Sequence, residues 1–189
     1  VTPPSIYLHF ADKDALIEAV VSDVFAELDV AMMTAGASVE HPLGRLRAYG
    51  LAYVKFAVGH PEHYRVATME LHQPRGENPM SKLDEILTDA AFAHFSDVVR
   101  LCIDAGVFVA GDPLPITVEL WSAAHGIASL MIAKPFLPWG DKEEFANRVL
   151  RSAALGRAVT DRIGGDPSPA DLARYLDLPA ADPSAMTRR

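Results

Sequence analysis

The sequence predicts an all-α fold. Apolar residues recur at three- and four-residue spacing along nearly the whole chain, and no alternating stretch is long enough to build a sheet. Proline- and glycine-rich clusters punctuate the periodic segments, as turns between helices require. The chain has 189 residues, half of them apolar, which is enough for one or two domains with a core of ordinary size.

Thr2 can cap a short opening helix whose first positions are Pro3 and Pro4, where the N–H groups have no intrahelical partner to lose. Ile6 and Phe10, four apart, share its inner face. Asp12 is a good N-cap for a long amphipathic helix to Ala35, with Leu16, Val20, Val24, Leu28 and Met32 one turn apart and Gly36 ending it. A second helix is expected from Pro42 to Val58, leaving at Gly59. "HPEHYRVAT" reads as a short third helix with Pro61 first, and "HQPRGENPM" as a loop. A long helix from Met80 to Ala105 follows, with Leu83, Leu87, Phe95, Val98 and Cys102 inward and Asp84, Glu85 and Asp89 on a solvated face. "FVA" after it is an isolated fragment that makes no sheet. Pro115 opens an apolar helix to Lys134, "KPFLPWGD" turns, and a last long helix runs from Lys142 to Ile163. The tail offers one short helix over Pro169–Leu176.

Net charge is −8 and the pI about 5.3, so the bulk of the chain is not a nucleic-acid surface. A small basic head would be averaged away in that balance. No apolar run reaches 18 residues without a charge, and no signal sequence opens the chain, so neither a membrane span nor export is expected. The lone cysteine, Cys102, excludes an intrachain disulfide and fits a reducing, cytoplasmic setting as a buried small hydrophobe.

The opening helix leaves Thr2, Pro3, Ser5, Tyr7 and His9 outward, with Lys13 just beyond. Hydroxyl, phenol, imidazole and ammonium groups on one short helix suit phosphate and base-edge contacts in a major groove. "TPPSIYLHFADKDAL" resembles the recognition-helix segment of TetR/AcrR-type bacterial transcriptional regulators, and "ELWSAAHGIASL" is similar to the Trp-His-Gly signature of one class of their C-terminal domains, through Trp121, His125 and Gly126. The resemblance implies that two further helices precede Val1, so that the chain is an N-terminally truncated form. It divides the chain into the end of a helix-turn-helix DNA-binding domain (1–35), an effector-binding and dimerisation domain (36–165) and a tail (166–189). It also implies a ligand-responsive repressor that binds operator DNA as a homodimer. The alternative is an α-helical dimerisation or ligand-binding module with no DNA role.

Trp121 and His125 are four apart on one helix face. Small residues around Gly126 and Gly156 suit close helix contact, which makes Ala124, Ala128, Ala153 and Arg157 the expected dimer interface. Tyr53, Phe56, Tyr64, Met69, Phe95, Trp121 and His125 compose a pocket for a small apolar effector with one or two hydrogen-bonding groups. His60 and His63 read as a capping and a surface histidine. No phosphate loop, nucleophile elbow or zinc motif appears, so no catalytic residue, metal or cofactor is expected.

Overall fold

A computed structural model describes residues 9–69 and 89–163, with residues 168, 170, 171 and 174 of the tail. The described residues form six helices and no strand: α1 (Lys13–Gly36), α2 (Pro42–Gly59), α3 (Pro61–Thr68), α4 (Ala90–Asp104), α5 (Pro113–Ala133) and α6 (Lys142–Ile163). Thr2, Pro3, Ser5 and Tyr7, the expected loop at 72–80, and Leu83 and Leu87 lie outside the described residues, as does most of the expected tail helix.

Aspartates cap α1, α4 and α5. Asp12 accepts from the Ala15 amide at 2.8 Å. Asp89 accepts from the amides of Ala91 and Phe92, and Asp112 from that of Leu114. Each satisfies donors that the first helical turn leaves unpaired. Two expectations change on this account. The backbone at Asp89 is extended and capping, so α4 begins at Ala90, not at Met80, and Asp89 is a cap, not part of a charged face. α5 begins two residues before Pro115, because Asp112-Pro113 combines a cap with a first-position proline.

The central element is α2, which packs against all five other helices. Leu46, Tyr49, Gly50, Tyr53, Val54 and Ala57 are buried along it at helical spacing. α1 joins the same core through the buried Val24, Leu28, Met32 and Gly36, with the partly buried Val20 packed against it one turn earlier. Gly36 ends its helix as the sequence predicts, without a left-handed turn, since Ala37 after it is right-handed. What needs glycine here is space, because a Cβ would meet the ring edge of Tyr49 at Cε1 and lie 2.9 Å from Cδ1. Gly106, after α4, does need a positive φ (71°). Arg162 at the end of α6 donates to the carbonyls of Gly106 (2.6 Å) and Val107 (2.9 Å), pairing two backbone acceptors of the loop that follows α4.

By length and composition α5 is apolar enough to cross a membrane. In this fold it is a core helix, with Ile116, Leu120, Ala124, Ile127 and Met131 buried against its neighbours. Cys102 is fully buried, and burial pushes its thiol up to about 11.

Gly36→Ala drives a methyl into a buried ring and is expected to lower unfolding free energy by about 1–3 kcal/mol. Gly59→Ala, with open space around its Cβ, is the control and should cost nothing. Urea denaturation of the two variants side by side checks the contrast.

Candidate functional site

α2, α3 and α5 converge on four aromatic side chains. Tyr53 and Tyr64 are buried, at 5% and 0% exposure, while Trp121 and His125 are half-buried. Trp121 Nε1 donates to Tyr53 Oη at 3.0 Å. Tyr53 Oη and Tyr64 Oη are 2.7 Å apart, and Tyr64 Oη lies 2.7 Å from His125 Nδ1. Tyr53 Oη is 3.4 Å from the same nitrogen, a weaker contact. The tyrosine rings meet edge-on, with centroids 5.8 Å apart. Phe92 of α4 closes the cluster edge-on to Trp121.

The donors can be ordered. An indole N–H only donates, so Tyr53 Oη is an acceptor from Trp121. Its own proton then goes to Tyr64 Oη, and the Tyr64 proton to His125 Nδ1. This direction pairs every hydroxyl proton, as buried polar groups require. It assigns His125 the neutral form with its proton on Nε2. Protonating Nδ1 would reverse the chain and strand the Tyr53 proton. Burial acts in the same direction, holding the His125 pKa below 6.5, and burial likewise raises both tyrosines above 10.0. The cluster is a directed hydrogen-bond relay from indole to imidazole.

Of the other expected pocket residues, Phe56 is buried and packs its ring on His60, with centroids 4.7 Å apart. Met69 lies at the end of α3 and is 39% exposed. Phe95 lines a separate cavity of about 430 Å³ between α2, α5 and α6, one helical turn from Phe92. That cavity also meets Arg47, Leu120 and Arg151. Sequence reasoning did not find it, because solvated arginines carry no periodic signal. His60 serves the preceding helix, donating from Nδ1 to Phe56 O at 3.1 Å. Its ring stacks on that of His63. His94 donates from Nδ1 to Asp29 Oδ1 at 2.8 Å, joining α4 to α1. Among the described residues no three His, Cys, Asp or Glu side chains gather as a metal site.

The expected interface residues are placed as follows. Ala124 and Ala128 are 2% and 0% exposed within the single chain, so their side chains cannot face a partner. Ala153 is half-buried, and Arg157 pairs with Glu119 of α5 at 3.1 Å. The open face of α5 lies a few positions away, at Val118, Ser122, Gly126 and Leu130. Nothing lies within 4 Å of a Cβ built at Gly126 or at Gly156. His9 and Lys13 are exposed at the start of α1.

Residues 46–153 match the family described as tetracyclin repressor-like, C-terminal domain. The chain belongs to the TetR family. Among solved structures it is similar to a protein of unknown function from Rhodococcus sp. RHA1, with a TM-score of 0.67 and 25% identity. That likeness covers 84% of this chain and 79% of the other. No curated protein matches.

A His125 proton that is hard to add has a pH consequence. The unfolded chain takes it up near 6.5 and the folded chain only at lower pH, so the contribution of His125 to folding stability is level above 6.5 and falls as pH drops below it. His125→Gln should flatten that fall in denaturant titrations between pH 7 and 5. Tyr64→Phe strips the relay of its middle member and should cost about 1–3 kcal/mol, because it takes away the short bonds of the Tyr53 hydroxyl proton and of His125 Nδ1 and leaves only the 3.4 Å contact between them.

Proposed function

We propose that this chain is the effector-binding and dimerisation body of a ligand-responsive, DNA-binding repressor, together with the end of its DNA-reading head. The observation that carries the reading is the family match over residues 46–153, joined to a long helix α1 that leads out of the core to the exposed His9 and Lys13. Thr2, Pro3, Ser5, Tyr7, His9 and Lys13 are the groups proposed to contact operator DNA. Effector binding in the body shifts α1 and so changes the separation of two heads that must match half-sites one helical turn, or a multiple of it, apart.

The dimer is proposed to form across α5 and α6. Their open face, with Ser122, Gly126 and Gly156, has the small residues that let helices approach closely. A two-fold operator requires such a pairing. The relay of Tyr53, Tyr64, Trp121 and His125 gives the body a polar point for an effector, through the Nε2–H of the half-buried His125. No catalytic role is assigned to it.

Operator selection from random duplexes by the intact protein tests the reading; failure to enrich any sequence would sink it. Within that protein, Lys13→Ala is expected to weaken binding equally on all sequences and to reduce the salt slope by roughly one. A change in sequence preference at constant salt slope would contradict the proposed role. For the dimer, Gly126→Arg should keep the helical circular dichroism, since its side chain has open space, while light scattering reports a monomer.

A further inference from the structure

The cavity between α2, α5 and α6 differs in chemistry from the relay. Its floor is apolar: Leu46, Phe95, Leu120 and Leu150 are all less than a tenth exposed. Its opening is cationic, with the exposed Arg47 from α2 and Arg151 from α6. No carboxylate lines it among the described residues. Among the described arginines, Arg45, Arg65, Arg148, Arg157, Arg162 and Arg174 each hold an oxygen, and Arg100, away from the cavity, holds none. Arg47 and Arg151 hold none among the described residues. Gly44, Arg47 and Gly50 are three apart on one face of α2, and Leu150 of the floor packs directly against the bare backbone of Gly50. At about 430 Å³ the space falls within the roughly 300–1,000 Å³ of small-molecule sites.

We propose that this cavity binds an anionic amphiphile, a carboxylate on a medium-length apolar tail. The tail lies against Phe95, Leu120 and Leu150, where burial removes it from water. The carboxylate sits at the mouth between Arg47 and Arg151, whose planar forks match it in charge and geometry. A neutral tail of the same length gains only the apolar part, and a cationic one is repelled. The cavity also reaches the seam between α4 and α5, where Phe95 and Leu120 lie beside the relay's Phe92 and Trp121. The inference deepens the reading of the body as effector-binding and is independent of DNA.

Isothermal titration of the 189-residue chain with decanoate, decan-1-ol and decyltrimethylammonium, without DNA, tests it. Decanoate is expected to bind at one site per chain, at least about tenfold tighter than the alcohol, with the ammonium not binding. Arg47→Gln and Arg151→Gln should each weaken decanoate about five- to tenfold and leave the alcohol unchanged. Ala154→Phe fills the floor and should abolish binding of both. The arginine variants lie at the exposed mouth, so they decide the matter even if Ala154→Phe fails to fold. No decanoate binding, equal binding of acid and alcohol, or arginine variants that bind decanoate like the parent would each overturn the proposal. Such a failure would leave the operator experiment, and with it the regulator reading, untouched.

Discussion

One hydroxyl sets the arrangement of three helices. Tyr53 Oη receives the Trp121 indole proton and passes its own to Tyr64, so α2 is tied to both α5 and α3 at a point almost closed to water. A buried phenol without partners is costly, and so is a buried indole N–H. The fold must therefore hold these groups at hydrogen-bond distance as well as pack them. Apolar contacts alone tolerate sliding along a helix; this cluster fixes the register of α2 against its neighbours.

Much of this organisation was legible in the sequence. Six described helices follow the 3.6-residue pattern, and the cap at Asp12 came directly from residue type. The starts of α4 and α5 were harder. Asp112-Pro113 competed with Pro115 two residues on, and the apolar spacing of Leu83 and Leu87 ran smoothly into that of α4, hiding the extended backbone at Asp89. Gly36 does end its helix, but the need for glycine there comes from Tyr49, which no local pattern reveals. The residue types place Tyr53, Tyr64, Trp121 and His125 in one expected pocket, but that their polar atoms meet in a single hydrogen-bonded chain, without Met69 and Phe95, depends on where α2 and α3 meet α5, a tertiary fact. Small residues misled in one respect: Ala124 and Ala128 are small because α5 packs closely inside its own chain.

The body carries two chemically different features on one seam. The relay is internally satisfied and offers an incoming group little beyond the imidazole Nε2–H. The cavity is the reverse, apolar within and carrying unmatched positive charge at its mouth. Phe92 and Phe95 of α4, one turn apart, touch one feature each. α4 is also held to α1 by the His94–Asp29 pair and to the end of α6 by Arg162. A displacement of α4 is thus felt at both features and at the long leading helix, through contacts and without any change of secondary structure.

The close approach of α1 to α2 reaches into the history of the chain as well. Tyr49 fills the space that any side chain at position 36 would occupy, and its hydroxyl donates to Met33 Sδ at 2.8 Å, which keeps the ring in place. Neither position can drift alone: a larger residue at 36 requires a smaller one at 49, and a smaller one at 49 leaves a void beside a bare backbone. Among descendants of this sequence the two sites should change together or not at all. That covariation would record a helix crossing in the genome, with no coordinates consulted.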